Sequence, residues 1–150
     1  MALEIRIVNP EWEQPLAEFF AAIRMSGEQY FHPHPFTDES AKTLAQYSGR
    51  DLYYLLVDGN TVLAYGILRG WDQGFEVPSL GIAVRPEARG GKLGELMMHL
   101  LHNAARRNGA RQVRLKVYSG NTAARNLYSK LGYTFDSVEE EGQLVGILEL

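Results

Sequence analysis

Residues 79 to 94 read Ser-Leu-Gly-Ile-Ala-Val-Arg-Pro-Glu-Ala-Arg-Gly-Gly-Lys-Leu-Gly. The first six suit a strand, and Pro86 turns the chain. Gly90 and Gly91 then open onto Leu93, Leu96, Met97, Leu100, Leu101, Ala104 and Ala105, whose three- and four-residue spacing predicts the strongest helix of the chain. A glycine turn at a helix start presents unpaired backbone N–H groups and the positive end of the helix dipole, which suits a pyrophosphate. The plain alternative is an ordinary helix entry. The turn is not a P-loop, because Gly-Gly-Lys is followed by Leu93 and not by Ser or Thr. It is not a dinucleotide fingerprint either, since no G-x-G occurs here and Arg114 stands where an acid is needed.

Upstream, Leu3 to Val8 alternates as a first strand ended by Asn9-Pro10, and Trp12, Leu16, Phe19, Phe20 and Ile23 mark a helix ending near Ser26-Gly27. A second helix, capped by Thr37 or Asp38, is expected to run to about Ser48. Leu52 to Val57 and Val62 to Leu68, joined by Asp58-Gly59-Asn60, form an antiparallel hairpin, and Pro78 marks either the start of the next strand, Ser79 to Val84, or a bulge in it. Downstream, Val113 to Val117 is a strand and Asn121 to Leu131 a short helix; Tyr133 to Val138 and Leu144 to Leu150 are closing strands. The predicted fold class is α/β: order β-α-α-β-β-β-α-β-α-β-β over a single domain, residues 1–150, with helices on the faces of a mixed sheet.

Composition sets limits on function. The 150 residues suit one domain, and with no cysteine the chain has no disulfide, thiolate metal site or Cys nucleophile. The longest apolar run, Leu52 to Val57, is too short to span a bilayer, and the first residues do not resemble a signal peptide, so a cytoplasmic enzyme is expected. Between Arg85 and Lys130 stand ten basic residues and two acidic ones, a balance of +8, so the remainder carries −11 of the overall −3. Charge runs commonly just solvate a helix. Sharing its window with the glycine turn, this one points to a polyanionic ligand. Nucleic acid is a poor fit, because no recognition motif accompanies the charge.

The second constellation is Asn121-Thr-Ala-Ala124-Arg-Asn-Leu-Tyr128-Ser-Lys-Leu-Gly132-Tyr133. Asn121 suits a helix cap, and Tyr128 follows two turns on, about 10 Å along the axis. Read plainly, these are a cap and a packing tyrosine. Together with V-x-P-E-x-R-G-x-x-x-G from Val84 to Gly94, this N-x-x-A-x-x-x-Y-x-x-x-G-[FY] pattern resembles the GNAT N-acetyltransferases. The likeness covers essentially the whole element order. One departure is Lys92, which occupies the middle glycine position of the family's loop, with a glycine one place earlier at Gly91. Lys92 is expected to keep a helical backbone and aim its ammonium at a phosphate.

The resemblance implies a GNAT fold, with a mostly antiparallel sheet of about seven strands, and acetyl-CoA as cosubstrate. Backbone groups of Ile82, Ala83 and Val84 are implied to line the pantetheine arm, and Arg89, Gly90, Gly91, Lys92, Leu93 and Gly94 to hold the pyrophosphate. Asn121 and Arg125 accompany the arm, and Tyr128 acts as general acid to the departing thiolate. The implied reaction is direct attack of an amine on the thioester, and no metal is expected. Many family members place a Glu at position 80, where this chain has Leu80. Candidate bases are therefore Glu76, four residues upstream or about 13 Å if extended, and His32 and His34. All three are expected in one pocket. His32-x-His34 shows no third metal ligand. Two readings of Tyr30 to Phe36 stand side by side: an acceptor-site wall, or a proline-stiffened loop whose aromatics plug the core. His99 and His102, on the long helix, are expected at the surface. Besides acetyl-CoA and an amine acceptor, a homodimer is allowed, and a non-catalytic CoA-binding module is the alternative to an enzyme.

Overall fold

The computed structural model of the chain describes residues 2–27, 33–140 and 142–150, and the side chains of 137–140 lie outside that description. Seven strands form one sheet: β1 (Leu3–Ile7), β2 (Leu52–Asp58), β3 (Thr61–Arg69), β4 (Ser79–Val84), β5 (Gln112–Tyr118), β6 (Thr134–Glu140) and β7 (Gln143–Glu149). Their order is β1-β2-β3-β4-β5-β7-β6. Every neighbouring pair is antiparallel except β4 and β5. The helices are α1 (Glu13–Met25), α2 (Asp38–Ala45), α3 (Leu93–Arg107) and α4 (Thr122–Lys130). The predicted element order is observed, with short 3-10 turns added at Pro10–Trp12 and Pro86–Ala88.

Local chemistry accounts for the helix starts. Asn9 Oδ1 accepts from the Glu11 N–H at 2.9 Å, fixing the 3-10 turn that leads into α1. Thr37 Oγ1 accepts from the Ser40 N–H at 3.0 Å and caps α2, whose first turn carries Asp38 and Glu39. The apolar stripe Leu16, Phe19, Phe20, Ile23 of α1 is fully buried.

Two cores lie on opposite faces of the sheet. On one face α1 and α2 cover Leu55, Val57, Val62, Tyr65 and Ile67. On the other, α3 and α4 cover Leu56, Ala64, Leu68, Leu80, Val113, Leu115 and Val117. The alternation of strand side chains puts Leu80, Ile82 and Val84 on the α3 face and Ala83 on the α1 face. α3 sits close on β3 at Gly66, where an added Cβ would stand 2.5 Å from Met97 Sδ.

His102 departs from expectation. It is only 5 % exposed and hydrogen-bonds through Nε2 to the Tyr133 hydroxyl at 2.7 Å, whereas His99 is exposed. Its phase explains this, since it lies four residues after Met98 and three before Ala105, both buried.

Candidate active site

The site begins where the sheet opens. β4 and β5 share a single register pair, Ser79 with Arg114, and the Arg114 N–H donates to Pro78 O at 3.0 Å. Beyond it the two strands diverge. On the other edge of β4 the Arg85 N–H bonds Leu63 O at 2.7 Å, continuing the ladder to β3. Alternation then turns the backbone groups of Ile82 and Val84 toward the gap, where among the described residues no strand pairs with them. The Val84 carbonyl accepts from Arg89 Nε at 3.2 Å. Ala83, by the same alternation, bonds toward β3 opposite Tyr65.

The gap is closed at one end by the start of α3. Gly90 takes φ 89°, as a glycine turn allows, and Lys92 takes φ 64°, ψ 22°. Lys92 therefore does not keep the helical backbone expected of it. It adopts the left-handed conformation that a glycine at this position would adopt freely, and a side chain there costs about 1 kcal/mol or more. The Lys92 side chain does not cap α3, and the first turn of the helix points its N–H groups toward the gap. An added Cβ at Gly94 would stand 3.7 Å from both Ile82 and Val84 and 3.9 Å from Leu127, so α3, β4 and α4 converge here. Gly91 and Leu93 complete the turn, with Gly91 exposed and Leu93 packed on the α3-side core.

α4 forms the other wall. Asn121 Oδ1 accepts from the Ala124 N–H at 3.3 Å, and Arg125 Nη1 donates to Ser119 O at 3.0 Å, folding back over the β5–α4 turn. Tyr128 is 8 % exposed, packs beside Tyr133 with ring centroids 5.8 Å apart, and lines the cavity at the splay. Burial pushes its phenol up to about 12.

That cavity has a volume of about 870 Å³. Tyr128, Leu80 and Ile82 line it together with Glu76, Arg69 and Arg114. Glu76 is exposed on the loop after β3. Asp51 anchors this loop at its start: its Oδ1 accepts from the N–H groups of Gly70, Trp71 and Asp72 at 3.1, 2.9 and 3.3 Å.

Of the candidate bases within the described residues, His34 and Glu76 line different cavities instead of the one pocket expected: His34 a second cavity, of about 480 Å³, and Glu76 the first; Arg69 borders both. His32, with Tyr30 and Phe31, lies outside the described residues. His34 Nδ1 faces Pro35 O at 2.8 Å, and a carbonyl only accepts, so Nδ1 carries the proton. In the neutral ring Nε2 then accepts from the Tyr65 hydroxyl, at 2.8 Å. Burial lowers the His34 pKa, which favours that neutral form. Its ring packs against Phe20 and Phe36, at 5.4 and 5.6 Å, so the described part of this segment plugs the α1-side core.

A sheet splayed at a single parallel pair, with a glycine turn opening a helix beside the gap, defines a cleft shaped for an extended, phosphate-bearing cosubstrate. Residues 17–133 match the Acetyltransferase (GNAT) family, and the chain belongs to it. Among curated proteins none matches. Similar solved structures include the GNAT domain of S. lividans PAT, with TM-score 0.85, 13 % identity, and coverage of 99 % of this chain and 90 % of that one. A GCN5-related N-acetyltransferase from Kribbella flavida has TM-score 0.82 and 26 % identity, covering 99 % and 98 %. The PaiA N-acetyltransferase from Thermoplasma acidophilum, solved in complex with coenzyme A, has TM-score 0.78 and 17 % identity over 100 % of both chains.

Proposed function

We propose that this protein moves an acetyl group from acetyl-CoA to a primary amine of a small amine, an amino sugar or a peptide, by direct attack within a ternary complex. The observation that carries this reading is the open β4 edge, where backbone groups of Ile82 and the Val84 N–H face a gap that ends on Tyr128. An extended pantetheine arm fits that edge as an added strand does. The first turn of α3, with Arg89 to Gly94, offers its N–H groups to the pyrophosphate, and Lys92 adds a cation. Asn121 and Arg125 shape the turn over the arm.

In the transfer step the amine nitrogen bonds to the thioester carbonyl carbon and the carbon–sulfur bond breaks, leaving its electron pair on sulfur. Tyr128 keeps its proton at every physiological pH and donates it toward the thiolate as that charge forms. A thiol's ordinary pKa of about 8.5 lies below that of Tyr128, so the phenol acts by strong hydrogen-bond donation, and water completes the protonation. Glu76, on the cavity wall, receives the proton of the attacking amine directly or through water. His34 is less suited, since its accepting nitrogen already takes a hydrogen bond from the Tyr65 hydroxyl. The chain has no cysteine and no G-x-S-x-G elbow, which agrees with transfer without an acyl-enzyme. Among the described residues no helix is long and apolar enough to cross a membrane, and we place the reaction in the cytoplasm.

A second reading, a CoA-binding module without turnover, draws on Leu80, which is buried beside Tyr128 where a carboxylate would supply a base. One experiment separates them: thiol release from acetyl-CoA across a panel of amines, amino sugars and peptides, run beside calorimetric titration with CoA. The enzyme reading predicts both binding and amine-dependent release. Binding with no release for any acceptor points to the module, and no binding at all refutes both.

A further inference from the structure

The edge strand β1 carries a pattern that neither cleft nor core uses. All five of its residues are exposed, and Leu3, Ile5 and Ile7 are 47, 50 and 58 % exposed. They share the α3 face, because Ile5 pairs with Leu56 of the α3-side core. Contiguous apolar surface of this kind marks an interaction site.

The backbone of β1 is open as well. The Val8 N–H bonds Tyr53 O at 3.1 Å, so by alternation the N–H and C=O groups of Leu3, Ile5 and Ile7 point away from the sheet. Only side chains reach two of these carbonyls: Arg6 Nη1 donates to Ile5 O at 3.3 Å and Asn9 Nδ2 to Ile7 O at 3.2 Å. β1 holds no proline and no bulge against β2, and its two charges, Glu4 and Arg6, are of opposite sign, so they do not repel an antiparallel copy as a row of lysines would.

The sequence of β1 names its occupant. Leu3-Glu4-Ile5-Arg6-Ile7 reads apolar, acid, apolar, base, apolar, so an antiparallel copy centred on Ile5 sets Ile5 against Ile5, Leu3 against Ile7 and Glu4 against Arg6. Glu4 and Arg6 lie on one face and already pair within the chain at 2.5 Å. We propose that a second copy of this chain pairs with β1 about a two-fold axis through Ile5, joining the two sheets edge to edge. Each copy then supplies the same patch, as an isologous interface requires. The cross-strand pairs Glu4–Arg6 set the register, and the outward groups of Leu3, Ile5 and Ile7 close the ladder with about six hydrogen bonds. This inference is independent of the acetyl-transfer reading.

The test uses the intact chain and the absence of native cysteine. In this register the two position-5 Cα atoms stand about 5.5 Å apart, within disulfide range. Oxidised Ile5→Cys is expected to run as a covalent dimer, Leu3→Cys and Ile7→Cys to cross-link far less, and the Leu3→Cys/Ile7→Cys double variant to regain the dimer. By sedimentation, the wild type is expected to dimerise at about 100 μM. Glu4→Arg is expected to weaken association about ten-fold with its thermal midpoint unchanged, and adding Arg6→Glu to restore association. A wild type that stays monomeric overturns the proposal. So does a dimer indifferent to charge reversal, which uses another face, or one in which Leu3→Cys cross-links as readily as Ile5→Cys. Monomeric protein that captures a foreign strand at β1 also counts against it.

Discussion

The two faces of the sheet meet at one cavity but are built differently. On the α3 face the working parts are backbone: an open β4 edge, a left-handed turn at Lys92 and a helix start that the Lys92 side chain does not cap. At the other end they are side chains: Arg69 at the end of β3, Glu76 on the loop after it and the segment around His34. Both faces contain a histidine–tyrosine hydrogen bond, His102 with Tyr133 and His34 with Tyr65, and in both burial keeps the histidine neutral. Backbone geometry demands particular residues at fixed spacing, so one face has a motif. Side chains on loops meet no such demand, so the end near Glu76 and His34 has none.

The contrast is broken most sharply at Tyr128. Tyr128→Phe keeps the ring and its packing and loses only the proton donor, so kcat is expected to fall about 10²- to 10⁴-fold with little change in KM for acetyl-CoA. A thioester with a better leaving group should recover part of the loss. Turnover at the wild-type rate would reduce Tyr128 to packing.

Asp51 tests the other end. Asp51→Ala strands three backbone N–H groups at the start of the Glu76 loop, at a cost of about 1–3 kcal/mol to the loop's order. KM for the acceptor should rise while acetyl-CoA affinity holds. Equal damage to both would erase the division between the two ends.

Lys92 separates charge from conformation. Lys92→Ala is expected to weaken acetyl-CoA binding a few-fold to tens-fold, because one charge-assisted phosphate contact goes. Lys92→Gly loses the same charge but relieves the positive φ, so it should be more stable than Lys92→Ala by about 1 kcal/mol. Unchanged affinity in both variants would place the ammonium in solvent.

The smallest effect concerns pH. Burial first, then the charges of His99 and Arg106, lowers His102 from 6.5 to about 4. A depressed folded-state pKa gives stability that is whole above pH 6.5 and lost as pH falls toward 4. The thermal midpoint should drop across that window, and His102→Gln should shallow the drop, leaving the part due to His34. An unchanged slope would mean that His102 titrates as an exposed ring does.

Much of the molecule was legible because its signals are local. Strand alternation, the Asn121 cap and the apolar period of α3 each follow from a few adjacent residues, and the element order came out as expected. His102 was misread although its phase with Met98 and Ala105 was in the sequence. Other features were beyond such reading. The left-handed Lys92 depends on how the turn is held between β4 and α3. The Asp51 anchor joins residues nineteen to twenty-one positions apart, and His34 meets Tyr65 across thirty-one. Contacts of that range leave no period to find.

If the β4–β5 gap receives the acetyl-CoA arm, amide hydrogen exchange with and without acetyl-CoA locates it there. Slowed exchange is expected at Ile82 and Val84 and in the turn from Gly90 to Glu95, with α1 and α2 unchanged. Unaltered exchange at Ile82 and Val84, with protection arising instead along α1 or the loop of residues 70–78, would contradict that placement.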